Sequence, residues 1–296
     1  MHYMTRKKTV DRIFDSINYA VLFLVVVVTL YPFLYVVFAS LSSSTQFMAH
    51  DGILLGPVGF SLKSYIAVFK DPPIYIGYRN TVMYVVLGTA VNIFLTALAA
   101  YVLSRRYLRL TKYIMLMIIF TMYFSGGLIP TYLLMRNLHL TNTIFAVILP
   151  GAISTWNLLI LKTAFGAIPP AMEEAARIDG AGEWRILFQV IIPMALPSLM
   201  VMCLFYGVFH WNSWFNAMIY LQDVELHPLQ LFLRKILIQN DLKAMTGGAA
   251  DASEAGDIAV TVKYATIMVS TLPILVVYPF IQKHFVKGVL IGAVKE

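Results

Sequence analysis

Predominantly apolar residues recur in six stretches, near residues 14–40, 80–104, 113–135, 141–163, 197–220 and 260–282, with the charged positions gathered between them. A bilayer's hydrocarbon core of about 30 Å is crossed by about 20 helical residues, so each stretch is long enough to span it. The expected fold is all-α: one polytopic membrane domain over residues 1–296, with an N-terminal segment 1–13, a six-span core 14–282 and a tail 283–296. Pro32, Pro130, Pro150 and Pro273 fall inside these stretches, which predicts kinked helices. Arg6, Lys7, Lys8 and Arg12 precede the first stretch as they would in a signal peptide, but Ile17 to Ala39 is 23 residues without a charge and no cleavage site follows a short apolar core. A retained span is expected there.

The composition agrees: 59% of residues are hydrophobic, 12% are charged, and the mean hydropathy is +0.76. That leaves too little charged surface for a soluble domain of this length. The net charge of +7 has its commonest membrane-protein cause in lysine and arginine kept on cytoplasmic loops, and no basic patch with interleaved aromatics points to nucleic acid instead. With the N-terminus inside and six crossings, the inside segments carry fourteen Lys and Arg and the outside loops eight. Both termini are expected to be cytoplasmic. Of the outer loops, 42–79 mixes Gly, Pro and aromatics, and 223–259 ends in a small, acidic stretch, Gly247 to Asp257, expected to be flexible. The single cysteine, Cys203, excludes a disulfide framework and a cysteine metal cluster, so no metal site is expected.

The loop 166–193, between the fourth and fifth spans, has its own local logic: Pro169-Pro170-Ala171-Met172-Glu173-Glu174-Ala175-Ala176-Arg177-Ile178-Asp179-Gly180-Ala181, then Pro193 and Pro197. Proline opens a helix, Glu173 and Glu174 complement its positive end, and Gly180 takes the left-handed conformation that closes it. Glu173 and Arg177 stand four apart and are expected to pair. Alanines at 171, 175, 176 and 181 leave a side without bulk, which suits a docking knob. The plain alternative is an amphipathic connector.

Glu174-Ala175-Ala176, three residues, Gly180, nine residues, Val190, one residue, Ile192 and Pro193 resemble, spacing included, the EAA loop of ABC-importer permeases. Phe209-His210-Trp211-Asn212-Ser213-Trp214 and the tail from Lys283-His284-Phe285 to Gly292-Ala293-Val294-Lys295 are similar to carbohydrate permeases of the MalG type, in particular the LplC and YtcP branch. The resemblance covers nearly the whole chain. It implies a type I ABC importer permease fold, with Glu173, Glu174, Ala175, Ala176, Asp179, Gly180, Ala181 and Pro193 at the contact with an ATPase. It also implies the partners: a second homologous permease, two ATPase copies and an extracellular sugar-binding lipoprotein. The cargo implied is an oligosaccharide such as a polygalacturonan or rhamnogalacturonan fragment, in a Gram-positive cell membrane. The tail departs from the family's usual Lys-Gly ending, since Glu296 follows Lys295.

No G-x-x-x-x-G-K-[ST] run is present, so ATP and Mg belong to a partner; no cofactor is expected on this chain and it performs no covalent chemistry. The apolar cores lack the Asp or Glu of a proton- or sodium-coupled transporter, and His210 is expected to be a neutral histidine hydrogen-bonded between helices. With Ser213 it lacks the third group that a hydrolase needs. Sugars present apolar faces rimmed by hydroxyls, so a path for them wants aromatics beside neutral polar groups. Candidates are Tyr123 and Phe124, Trp156 and Asn157, and Trp211, Asn212, Phe215, Asn216 and Tyr220. The same importer class carrying a peptide or other solute, and a membrane scaffold or channel without an ATPase, are the competing readings.

Overall fold

The computed structural model describes residues 9–105, 110–245, 260–277 and 279. The early lysines and arginine 6–8, the acidic stretch 247–257 and the tail 283–296 lie outside these residues. The described chain is helical throughout, with one isolated antiparallel bridge between Ser42 and Phe60. In order the helices are α1 Thr9–Ser40, α2 Ser44–Met48, α3 Lys63–Lys70, α4 Pro72–Ser104, α5 Thr111–Tyr123, α6 Leu128–Asn137, α7 Phe145–Ile148, α8 Thr155–Gly166, α9 Pro170–Ile178, α10 Glu183–Ile186, α11 Ile192–Met194, α12 Leu196–Trp211, α13 Phe215–Tyr220, α14 Leu229–Met245 and α15 Val260–Val277.

Three of these are continuous and apolar enough to cross a bilayer: α1, α4 and α15. Three bent helix pairs are also long and apolar enough, which makes six spans if each pair is one: α5 with α6 (bent 114°), the α7 segment with α8 (55°), and Glu183–Met194 with α12 (86°). The six apolar stretches are helical, but the third, fourth and fifth are not single helices, and the pair that holds α12 runs 183–211 where the fifth stretch was expected at 197–220.

The breaks have local causes. Gly127 at φ +85° turns the chain between α5 and α6, and Pro130 lies in the first turn of α6 rather than at the break. Leu149–Gly151 is a 3-10 turn holding Pro150. Pro32 and Pro273, expected to kink their helices, lie inside unbroken ones, since each removes a single backbone bond from a long ladder. The fifth stretch ends its first helix at Trp211 and restarts at Phe215, so its candidate residues do not share one helix.

The described residues within 1–71 and 236–270 form one compact unit, and those within 72–235 and 271–296 a second. In the first, Tyr264 packs edge-on against Tyr35 and Phe47 with ring centroids 5.9 and 5.6 Å apart, and the Ser64 and Thr261 hydroxyls share a 2.7 Å bond.

The second unit is organised around α4, which packs along α8 and α12. Leu158, Leu161, Phe165, Ile186, Ile191 and Met202 form its core. Polar side chains between the helices are satisfied by the backbone of the break before α8, as a lipid-embedded fold requires. Asn92 donates to the Gly151 and Ala152 carbonyls at 2.7 and 2.8 Å, and the Tyr206 hydroxyl accepts from the Ser154 amide at 3.0 Å and meets the Thr96 hydroxyl at 2.7 Å.

The loop from residue 223 is held at its start. Tyr84 donates to the Leu226 carbonyl at 2.7 Å, Asn80 donates to the Glu225 and His227 carbonyls at 2.6 and 3.0 Å, and α14 begins at Leu229, whose amide donates to Thr81.

Candidate functional site

The loop 166–193 folds as its residues dictate. Pro170 occupies the first turn of α9 with Glu173 behind it, and Gly180 takes φ +81°. Its amide donates to the Arg177 carbonyl at 3.0 Å, and the Ala181 amide reaches back to the Ala176 carbonyl at 2.9 Å. This pair of bonds is a Schellman closure, and Ala176 and Ala181 make its accompanying contact by packing against the core. Val190 and Ile192 follow on a π-helical turn, Leu187–Ile191, and on α11, with Pro193 exposed.

The expected Glu173–Arg177 pair does not form. Glu173 is buried, and its partner is Arg105, just past the end of α4, with side-chain exposures of 9% for the arginine and 8% for the glutamate. Arg177 instead binds Glu183 at 2.7 Å. A carboxylate facing the core needs a buried cation, whereas Arg177 lies on the outer side of α9 and finds a nearer exposed acid. Nor do the alanines share one bare face. Ala176 and Ala181 turn to the core, while Ala171 and Ala175 turn outward with Glu174, Asp179 and Gly180. The outward face also carries Ile178, 86% exposed, and Met172. Ile178, Met172 and Arg105 were not singled out in the sequence. An isoleucine within the helix that the motif defines was the available signal for the first.

A cavity of about 1470 Å³ opens between α4, α8, α12 and the end of α15. Trp156, Asn157, Trp211, Asn212, Phe215 and Asn216 all line it, from the start of α8 and from either side of the break at 212–214. Ser213 and Trp214 join them, and among the described residues no Asp, Glu, Lys, Arg or His does. Arg234 stacks its guanidinium 3.6 Å over the Trp214 ring. Trp211 is nearly buried against Tyr78, and Asn157 is buried at the start of α8. The structure does not bring Tyr123, Phe124 or Tyr220 to this cavity. Tyr123 and Phe124 are exposed at the end of α5, and Tyr220 is buried, stacked on Tyr132 at 6.1 Å. Being aromatic in an apolar stretch does not fix which way a ring faces.

His210 is fully buried and stands beside this wall, with its Nε2 2.6 Å from Asn92 Oδ1. Because the Asn92 amide group donates to two carbonyls, its oxygen is left to accept, so Nε2 carries the proton. It is a hydrogen-bonded histidine between α4 and α12. Among the described residues no group of His, Cys, Asp and Glu could hold a metal.

The sequence model of the binding-protein-dependent transport system inner membrane component family matches residues 84–291, which include α9 and every wall of the cavity. The chain belongs to that family. As a family member with long apolar helices it is an inner-membrane transport component. It is 41% identical over 96% of its length, and 99% of the relative's, to the polygalacturonan/rhamnogalacturonan transport system permease protein YtcP of Bacillus subtilis. Protein LplC of the same organism is 39% identical over all of this chain and 99% of its own. Among solved structures, a chain of a bacterial ABC transporter that imports the acidic polysaccharide alginate is 32% identical and superposes with a TM-score of 0.86, covering 95% of this chain and 100% of that one.

Proposed function

We propose that this family member is one of two homologous permeases of an ATP-binding-cassette importer that moves an oligosaccharide, delivered by an extracellular sugar-binding lipoprotein, through the cavity between α4, α8 and α12. Two copies of an ATPase hydrolyse the ATP, and α9 lies on the cytoplasmic side as the part they grip. The observation that carries the reading is α9 itself. It is a nine-residue helix closed at Gly180, pinned to the core on one side, and presenting Glu174, Ala175, Ile178 and Asp179 outward on the other.

An exposed isoleucine beside an exposed carboxylate fits a groove on another protein better than it fits water. The cavity's tryptophans and asparagines suit sugar rings and hydroxyls. The relatives' names point to uronate-containing polysaccharide fragments.

Affinity purification of the tagged chain from its native membrane, followed by mass spectrometry, tests the assembly. The expected result is a second permease and an ABC ATPase recovered with the wild type, and loss of the ATPase alone with Glu174→Lys. Recovery of no ATPase with the wild type would leave a scaffold or channel, and the importer reading would be wrong.

A further inference from the structure

The last turn of α4 holds the loop 166–193 at two points. Tyr101 and Arg105 stand four residues apart and so share one side of the helix end. Arg105 forms the buried ion pair with Glu173 on α9, and the Tyr101 hydroxyl donates a short hydrogen bond to Glu183 Oε2 on α10. The two points are tied to each other on both sides. The Arg105 guanidinium lies over the Tyr101 ring at 4.3 Å, and Arg177 on α9 donates to the other oxygen of Glu183 at 2.7 Å.

α9 and its closure also pack Ala176 and Ala181 against the core. Alanine methyls slide over a core with little change in energy. A charge pair shut away from water does not, because its attraction is weakly screened and parting it leaves a charge buried without its counter-ion.

We infer that Arg105, with Tyr101, is a positioning residue that locks α9 to α4, so that movement of α9 is delivered to the cavity wall through α4. This rests on the reading of α9 as the ATPase contact. The transmitting element is a single unbroken helix of 33 residues. It carries Val85, Val86, Thr89 and Ala90 on the cavity wall, and Thr89 lies sixteen residues before Arg105, about 24 Å along the axis at about 1.5 Å per residue. A helix of this kind moves as a rigid rod, whereas the covalent route from α9 to the wall runs through the π-turn Leu187–Ile191 and the break before α12.

The test is made in the assembled transporter in proteoliposomes. It uses Arg105→Gln/Glu173→Gln, in which two amides replace the charges and no unpaired charge is buried, together with the charge swap Arg105→Glu/Glu173→Arg. Two quantities are read: ATPase recovered with the complex, and labelled trigalacturonate transported per ATP hydrolysed. The expected result for the amide pair is undiminished ATPase recovery, since the outward face is untouched, with transport per ATP down about tenfold, within the usual range for coupling between sites. The swap is expected to recover most of the ratio. An unchanged ratio in the amide pair, a loss of ATPase recovery in step with transport, or no recovery in the swap would overturn the inference. A wild-type complex without any ATPase would instead overturn the reading of α9, and this inference with it.

Discussion

A Cβ added to Gly180 would meet no heavy atom within 4 Å, so a substitution there is opposed by the left-handed backbone alone, at about 1–2 kcal/mol for an ordinary L residue. Gly180→Val is expected to open the closure of α9 and Gly180→Asn to do so less, because asparagine tolerates that conformation. Hydrogen exchange at the Ala181 amide, which is bonded to the Ala176 carbonyl, would report it as faster exchange in the valine variant. Equal protection in all three proteins would contradict the account.

Gly88 is the opposite case. A Cβ there would come within 2.6 Å of the His210 ring at Cε1, so Gly88→Ala must displace the imidazole from Asn92, an overpacking that costs about 1–3 kcal/mol. Its thermal midpoint in detergent should fall, and adding His210→Ala should restore part of the loss if the clash is the cause. The role of Gly180 was legible because a helix's own chemistry specifies its end. That of Gly88 was not, since nothing in residues 80–104 says which residue faces a histidine far along the chain.

At the scale of elements, apolar length predicted where the chain crosses but not where the crossings break. Proline was the expected marker, and Pro150 does sit in the turn before α8, yet other breaks fall at Gly127 and at the polar pair Asn212-Ser213, while Pro32 and Pro273 are carried in continuous helices. The Ser125-Gly126-Gly127 run carried a breaker signal, outweighed by the apolar residues around it. The ion pair of α9 was misread for a related reason. Spacing along the chain sees Arg177 four residues away, but burial decides, and the buried partner is Arg105.

The loop joining α13 to α14 makes a pH-dependent prediction. Burial, as the largest cause, holds the His227 pKa below its usual 6.5, helped by Lys235 and opposed by the Leu221 carbonyl and Asp223. A histidine whose folded pKa is depressed contributes stability that is fully present above its unfolded pKa and is lost as pH falls below it. Stability should therefore hold down to about pH 6.5 and decline further into acid, with His227→Gln showing a shallower decline. Thermal melts between about pH 8 and about pH 5 would check this, and identical profiles for the two proteins would contradict it.

For the whole molecule, the sequence made the membrane fold and the family plain because lipid imposes a simple rule on length and polarity and because the loop motif is long and tightly spaced. It could not show that Trp156, Asn157, Trp211, Asn212, Phe215 and Asn216 meet around one cavity. The wall takes residues from α8, from the end of α12 and from the start of α13, where the first helix of the fifth stretch ends at Trp211 and the next begins at Phe215. Tyr123 and Phe124 satisfied the same compositional rule and lie elsewhere.

If the cavity is the sugar's path, Trp156→Ala should lower oligosaccharide uptake about tenfold, the scale of losing one aromatic stacking contact of about 1–1.5 kcal/mol. ATPase recovery should not change. The most direct measurement of the central claim is uptake of labelled trigalacturonate into proteoliposomes holding the purified complex and its sugar-binding protein, with ATP enclosed. The account predicts accumulation that requires ATP and the binding protein and disappears in Glu174→Lys. Uptake that runs equally well without ATP, or that survives unchanged in Glu174→Lys, would contradict it.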